Sequence, residues 1–190
     1  HKSYYGEYAG SITIPASFIY NSGIYRVISI DNWAFYNCDG LTSVDVGNNV
    51  TSIGERAFDG CDGLTSVIIG NSVVSIGVEA FYDCDVLASV TIGNNVASIG
   101  NGAFYGCRKL DSVIIPNSVT SIGDEAFFYC NGLTSVTIGN NVASIGSNAF
   151  AGCKSLTSII IPSSVISIRE GTFSDCKGLK SVTIGDNVTS

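Results

Sequence analysis

The stretch of sequence that decides the fold covers residues 64–85 and reads Leu-Thr-Ser-Val-Ile-Ile-Gly-Asn-Ser-Val-Val-Ser-Ile-Gly-Val-Glu-Ala-Phe-Tyr-Asp-Cys-Asp. With one further residue it forms a 23-residue unit, and most of the 190-residue chain consists of copies of it. The same residue types return at this step without a gap: cysteine at 38, 61, 84, 107, 130, 153 and 176, leucine at 41, 64, 87, 110, 133, 156 and 179, and phenylalanine at 35, 58, 81, 104, 127, 150 and 173. Such a period is typical of stacked units, each of which buries its apolar face only against its neighbours.

The unit divides into three pieces by its pattern of apolar and turn-forming residues. Residues 67–69 place apolar side chains at every second position, as a β-strand requires. Gly70 and Asn71 supply turn chemistry, and residues 73–76 form a second short extended piece. Gly77 turns the chain again, and residues 78–84 leave room for a short helical corner before the next leucine. Each unit is therefore predicted to close one coil, with the strands of successive coils side by side at about 4.8 Å.

The repeat pattern resembles that of a known family. Over residues 27–190 it reads L-x-x-V-x-I-(G/P)-x-x-V-x-x-I-G-x-x-A-F-x-x-C, which is similar to the leucine-rich repeat of the BspA-like surface proteins. A generic leucine-rich repeat places Asn or Cys where this chain has Gly or Pro, and the Ala-Phe-x-x-Cys corner marks the BspA-like subtype. The resemblance implies fold class α/β: a β-rich, right-handed leucine-rich-repeat solenoid with a parallel sheet and short helical or 3-10 corners.

The chain is predicted to form one structural domain with an atypical beginning. Residues 1–30 are predicted to be an N-terminal tail and capping hairpin, with strands over 11–20 and 24–30, and residues 31–190 the solenoid. A solenoid end exposes its core, so terminal units must differ from the others. Trp33 replaces Arg56 and Glu79 of later repeats and is assigned to cap packing, with a ligand contact as the alternative.

The last repeat is incomplete, and the chain is interpreted as a fragment of a longer protein. The open strand edge of its uncapped C-terminus is predicted to allow end-to-end self-association.

The charge of the chain restricts its partners. A net charge of −7 and a pI near 4.4 argue against nucleic acid, whose recognition needs a basic surface, and against anionic membranes. No apolar run approaches the length of about 18 residues that spans a bilayer, so membrane insertion is not expected. Neither nucleic acid nor a membrane is therefore expected as a partner, and a protein partner is what the BspA-like resemblance implies.

The seven cysteines occupy the same corner of every repeat. Stacked one strand spacing apart, at about 4.8 Å with parallel Cβ vectors, they do not match the converging geometry and the Cβ separation of about 3.8 Å that a disulfide needs. They are predicted to be buried free thiols that act as small hydrophobes. A redox or metal role is the alternative.

The outward strand face is the first candidate functional surface. It carries a row of exposed β-branched and polar side chains, and repeat proteins bind partners over such extended surfaces. The alternative is that Ile and Thr are simply good strand formers. The candidate partner-binding residues are Thr42, Asp45, Thr65, Ile68, Thr91, Asp111, Ile114, Thr134, Thr137 and Ile160.

An aromatic row at the corner is the second candidate surface. Tyr36, Tyr82, Tyr105 and Phe128 each follow the inward phenylalanine, and Asp59 interrupts the row. Exposed aromatic residues are common at interfaces, and partial packing over the corner is the favoured alternative for this row.

Catalytic and metal chemistry find little support. Stacked asparagines in the turns could suggest a calcium site, but such a site needs several carboxylates, which this row lacks. These side chains are therefore expected to bond their own backbone. The row consists of Asn48, Asn71, Asn94, Asn117 and Asn140. His1 is the only histidine and lies at the chain end, so a histidine-based triad or zinc site is not expected. Paired carboxylates such as Asp124 and Glu125 fit ordinary solvent-facing positions. No enzyme activity, cofactor or metal is predicted.

The BspA-like resemblance implies a secreted or cell-surface protein of a bacterium or protist that is used in adhesion, toward host extracellular matrix or another cell surface. The function predicted is non-catalytic recognition of a macromolecular partner. A structural spacer in a larger surface protein and an accessory carbohydrate-binding module that uses the aromatic row are the alternatives.

Overall fold

The computed structural model describes residues 8–189 as a right-handed solenoid of parallel β-strands, wound in about seven turns. Its first strands are β1 (Ala9–Thr13), β2 (Ser17–Tyr20), β3 (Gly23–Arg26), β4 (Ser29–Ile30), β5 (Gly40–Asp45), β6 (Ser52–Ile53), β7 (Ser66–Ile68), β8 (Ser75–Ile76) and β9 (Ser89–Thr91). They are followed by β10 (Ser98–Ile99), β11 (Ser112–Ile114), β12 (Ser121–Ile122), β13 (Ser135–Thr137), β14 (Ser144–Ile145), β15 (Ser158–Ile161), β16 (Ser167–Ile168) and β17 (Ser181–Ile184).

Two parallel sheets run along the solenoid, one on each side of the core. The first sheet has the order β1-β5-β7-β9-β11-β13, and β15 and β17 form a separate pair beyond β13. The second sheet has the order β16-β14-β12-β10-β8-β6-β4. Partners in the second sheet lie one repeat apart, as in Ser75 with Ser98 and Ile76 with Ile99. The strand pairing therefore carries the 23-residue period directly into space.

The core consists of identical side chains stacked in columns. Leu64, Phe81 and Cys84 are fully buried, as are their equivalents in the central coils. The phenylalanine rings from Phe35 to Phe150 stack with centroids 4.9–5.3 Å apart and planes within 8° of parallel. The apolar side chains of each coil are therefore buried only when the neighbouring coil packs against them.

The corner before each leucine is built from turns, and no helix is found in residues 8–189, so the predicted helical or 3-10 corners are wrong. In the repeat of residues 64–85, the N–H groups of Glu79, Phe81 and Asp83 donate to carbonyl oxygens of the next coil at 2.7–2.8 Å. The N–H of Tyr82 closes a turn within the corner instead, on the Glu79 carbonyl at 3.1 Å. A helix needs each N–H to reach the carbonyl four residues back, and here the neighbouring coil accepts half of them.

The beginning of the solenoid differs from the predicted hairpin over residues 11–30. β1 pairs in parallel with β5 and forms the first strand of the first sheet, while β4 belongs to the second sheet. Within residues 8–189 only β2 and β3 pair antiparallel, with Phe18 opposite Tyr25. Ile12 pairs with Val44, 32 residues away rather than 23, so nine extra residues hold the hairpin. The first coil is thus a repeat with a hairpin inserted after its first strand.

Candidate functional site

The outward strand face brings most of the predicted partner-binding residues into one row. Ladder pairing places Ile68 between Asp45 and Thr91, and Ile114 beside Thr137. The isoleucine side chains project into solvent, with exposed fractions of 52% for Ile68, 69% for Ile114 and 68% for Ile160. Because they occur in every second coil, apolar ridges alternate with threonines along the solenoid axis.

Several residues of this face also have structural bonds. The Thr65 hydroxyl donates to the Thr42 carbonyl at 2.8 Å, and the Thr134 hydroxyl donates to the Asp111 carbonyl at 3.0 Å. The half-buried Asp45 accepts the Gly47 N–H at 2.9 Å. These contacts tie successive coils and turns together, whereas the exposed isoleucine side chains of the face have no polar group with which to do so.

The strand face is interrupted by two grooves that were not predicted. One lies between β9 and β11 and the other between β13 and β15, with volumes of about 670 and 620 Å³. Elsewhere the residue after the first strand donates to the next coil, as Ile69 does to Thr91 and Ile115 to Thr137, both at 2.9 Å. The equivalent bonds from Ile92 and Ile138 are missing from this part of the chain.

The grooves have a steric cause in the turn that follows the first strand. A Cβ atom added at Gly70 would lie only 1.7 Å from the Gly47 carbonyl oxygen, and one at Gly93 only 2.3 Å from that of Gly70. Coils therefore approach closely at this turn only where glycine stands there. Pro116 and Pro162 carry a Cβ at the same position, which forces their coils away from the preceding one.

The alternation of Gly and Pro in the sequence was the signal for these grooves. Whether a proline at this turn opens a groove depends on the distance between neighbouring coils, and the sequence of a single repeat does not give that distance.

The aromatic row is packed largely on itself. Tyr82 and Tyr105 stack with centroids 4.5 Å apart, Tyr105 and Phe128 at 5.0 Å, and all of them are half-buried. Burial raises the pKa of Tyr82 to about 12. Tyr36 lies apart from these three and meets Trp33 edge-on at 5.0 Å. The ring faces of the row cover one another.

A charged cluster fills the interruption of the aromatic row, and the sequence analysis missed it. The Arg56 guanidinium lies 4.9 Å from the Trp33 ring centre and forms ion pairs with Asp59, at 3.5 Å, and with Glu79. Asp59 is buried, and its pKa is raised to about 6, first by desolvation and further by Glu79 and Asp83, while Arg56 lowers it. Trp33 itself keeps an exposed face beside this cluster.

The turn asparagines form a ladder between coils. The Asn48 side-chain oxygen accepts the Asn71 N–H, and the Asn71 oxygen accepts the Asn94 N–H, both at 2.9 Å. Asn117 serves Asn140 in the same way at 2.7 Å. The expectation that these side chains bond their own backbone was therefore wrong, because the acceptor faces the next coil.

The seven cysteines are free, and six are buried while Cys176 is partly exposed. Each thiol from Cys61 onward donates to a phenylalanine carbonyl of the preceding coil, as Cys84 does to Phe58 at 3.1 Å. Burial raises the pKa of Cys61 to about 12 and raises the pKa values of Cys84 and Cys107 well above the ordinary value of a thiol. Such thiols stay protonated and serve as packing and hydrogen-bonding groups.

Residues 8–189 contain no group of three or more His, Cys, Asp or Glu side chains placed to hold a metal ion. His1 lies outside the described residues. In the described part of the chain, no helix has the length and apolar character to cross a membrane.

Solved structures with this fold come from several bacteria. A leucine-rich cell surface protein of Faecalibacterium prausnitzii is 37% identical with a TM-score of 0.86, over 97% of this chain and 49% of that one. A leucine-rich repeat protein of Bacteroides ovatus is 34% identical with a TM-score of 0.87, over 94% and 46%. One from T. pallidum is 28% identical with a TM-score of 0.65, over 91% and 68%. The chain thus spans about half the length of the first two proteins.

No curated protein matches the chain. The family model for the BspA type leucine rich repeat region matches residues 3–133 and 97–190, with six copies of the repeat. Together with the 23-residue period and the parallel solenoid, this match shows that the chain belongs to the BspA-type leucine-rich repeat family.

Proposed function

We propose that this chain is a non-catalytic recognition segment of a bacterial surface protein and that it binds a protein partner across its strand face. The observation that carries the proposal is the relief of that face, on which the ridges of Ile68, Ile114 and Ile160 border two grooves. The surface location rests on the description of the Faecalibacterium prausnitzii relative as a cell surface protein.

The grooves supply what a binding surface needs beyond exposed ridges. At their floors, core residues come close to the surface, with exposed fractions of 7% for Ile92 and 9% for Val136. Serine hydroxyls and open backbone groups lie along the walls. Apolar floors with a few polar groups are typical of recognition surfaces, and the rigid ladder beneath them costs little entropy on binding.

The two alternatives receive weaker support. Carbohydrate binding on the aromatic row would need free ring faces, and those of Tyr82, Tyr105 and Phe128 stack against one another. A structural spacer needs only a continuous stack of coils. Exposed isoleucines at every second coil add nothing to that role, and exposed apolar patches promote association with other molecules.

The proposal is tested by charging the ridges. The triple variant Ile68→Lys, Ile114→Lys and Ile160→Lys leaves every core residue in place and puts an ammonium group on each ridge. Binding of the variant to fibronectin, laminin, collagen and intact cells should weaken at least about tenfold, because buried apolar contacts become desolvated charges. The measurement is surface plasmon resonance, or cell adhesion, at equal circular dichroism.

The chain offers a matched control on the side of the second sheet. Val74, Thr120 and Ile166 are exposed and have the same 46-residue spacing, so their replacement by Lys adds the same charge at the same period. This control should bind as the parent does. Equal loss in both variants contradicts the assignment to the strand face, and a parent chain that binds none of the probes favours the spacer.

A further inference from the structure

The residue that follows each repeat cysteine forms a line along one corner of the solenoid, called here the corner column. It consists of Asp39, Asp62, Asp85, Arg108, Asn131, Lys154 and Lys177. Its first three members are acidic, and its last four contain three cations and no acid. Asp39, Asp62, Arg108, Lys154 and Lys177 are exposed. Two blocks of opposite sign therefore follow each other along the axis.

Contacts within the column show that its members are close neighbours. The Arg108 Nε lies 3.3 Å from the Asp85 carboxylate oxygen at the junction of the two blocks. The pKa of Asp62 is raised by burial and, after that, by the charges of Asp39 and Asp85. The acidic block thus holds like charges together with a single cation at one end.

The surroundings add charges of both signs. Asp83 lies beside the acidic block, and Lys109 directly follows Arg108 of the basic block. Asp175 pairs with Lys177 at 3.2 Å. Glycines follow four of the seven column residues, at positions 40, 63, 132 and 178, so little side-chain bulk obstructs another surface at those coils.

We propose that the corner column is an interface for a second copy of this chain, which binds antiparallel about a two-fold axis perpendicular to the solenoid. With the axis between Asp85 and Arg108, Asp85 faces Arg108 of the other copy and Asp39 faces Lys154, each twice. Asp62 faces Asn131, whose amide can donate to a carboxylate. A two-fold axis repeats every contact, so one self-complementary column gives a closed pair.

The order of charges selects this partner and this direction. Parallel copies in register would place acid against acid and cation against cation, while reversal about the junction places opposite signs together. Both columns have the same coil spacing of about 4.8 Å, so the match continues over several coils. Exposed ion pairs are each weak and are screened by salt, so the pair should form at low ionic strength and dissociate as salt rises.

The test is sedimentation velocity of the chain at increasing concentration. The parent should approach twice the monomer mass in about 20 mM salt, and its dissociation constant should rise at least about tenfold in 500 mM salt. One variant makes the column wholly basic, with Asp39→Lys, Asp62→Lys and Asp85→Lys. The other makes it wholly acidic, with Arg108→Asp, Lys154→Asp and Lys177→Asp. Each should be monomeric alone, and an equimolar mixture should recover the dimer mass.

A control variant separates the column from overall charge. Glu55→Lys, Glu125→Lys and Glu170→Lys change three exposed acids elsewhere, so the net charge equals that of the basic variant. It should dimerise as the parent does and should not pair with the acidic variant more strongly than the parent does.

Three results would overturn the proposal. They are a monomeric parent at low salt, triple variants that dimerise alone, and a mixture that stays monomeric. Dimers that form through the open solenoid end would survive both sets of charge changes, which identifies that alternative. Unchanged thermal unfolding of each variant shows that the substitutions left the fold intact.

Discussion

At the scale of single residues, Asp59 is the side chain whose environment departs most from what its position suggests. It stands where Tyr82 and Tyr105 stand in later coils, and its sequence position indicates only a gap in an aromatic row. In the fold it is 7% exposed and pairs with Arg56, which also forms an ion pair with Glu79. Burial favours the neutral form of a carboxyl group, and here two acids share one arginine. Ionising Asp59 in the folded protein therefore costs free energy.

The pKa of Asp59 predicts an unusual dependence of stability on pH. Its pKa is raised from 3.8 to about 6 in the folded state, so folding favours the protonated form. Asp59 therefore opposes folding above about pH 6, and this cost disappears as the pH falls toward 4. Asp59→Asn should raise the free energy of unfolding at about pH 7.5 by about 2 kcal/mol, after allowance for partial solvent screening, and by almost nothing near pH 4.

Urea unfolding of the parent and of Asp59→Asn at the two pH values measures this difference. Arg56 keeps Glu79 as its partner in the variant, so no unpaired cation is created. Asp31→Asn, which removes an exposed carboxylate, is the control for the change of charge. A variant that is less stable than the parent at the higher pH would contradict the argument.

At the scale of the element, the distance between coils at the turn decides where strands pair. Glycine at 70 lets β7 join β5 with a full ladder, and proline at 116 leaves β11 paired to β9 only at Ser112 with Ser89. At 162 the separation is complete, because β13 and β15 share no ladder pairs. The proline side chains of these two turns thus divide an otherwise continuous sheet into ridges and grooves.

Replacing both prolines should close the grooves. In Pro116→Gly and Pro162→Gly the Cβ atoms are gone, so the N–H groups of Ile92 and Ile138 can reach the carbonyls of Ile114 and Ile160. Hydrogen exchange of these two amides, followed by NMR, should slow by about tenfold or more as each gains a bond of about 1 kcal/mol or somewhat more.

The amides of Ile69 and Ile115 are internal controls for this variant, because they are already bonded to the next coil. Their exchange relative to global unfolding should stay unchanged. If the Ile92 amide still exchanges fast in this variant, the grooves have persisted without the prolines. That result would show that the prolines do not cause the opening of the sheet.

At the scale of the whole molecule, stability comes from contacts between coils. Every buried column, whether leucine, phenylalanine or cysteine, is completed only by the next coil, so the central coils are covered on both sides. Towards the C-terminal end the cover decreases, and Phe173, Cys176 and Leu179 are only partly buried. In a stack with nearest-neighbour coupling, the outer coils open before the central ones.

The thiol column makes this gradient measurable. Under native conditions, iodoacetamide should modify Cys176 first, while Cys84, Cys107 and Cys130 should react only through unfolding, since burial keeps these thiols protonated. In denaturant without reductant all seven should be modified, as counted by intact mass. Cys176→Ser should remove the fast phase. A denatured mass with fewer than seven labels would reveal bridges and contradict the stacked free thiols.

The sequence predicted the repeat, the inward columns, the free cysteines and the placing of the isoleucine row on one face, because these depend on periodicity alone. These features follow from the return of the same residue types at the same step. The inward position of Leu64, Phe81 and Cys84, for example, can be predicted without knowing which residues they contact. The Gly and Pro alternation at 93 and 116 was visible too, but its effect depends on how closely two coils approach.

Other features became visible only in the tertiary structure, because they are contacts between coils. The sequence by itself determined that the chain winds into a solenoid with one column per repeat position. Only the tertiary structure decided that the corners are turns, that the hairpin is limited to residues 17–26, that asparagines serve the next coil and that Asp59 is buried. The physical reason is that a polar group takes whichever partner lies nearest in space, and for the turn asparagines and the corner N–H groups that partner lies on the neighbouring coil, about 23 residues away.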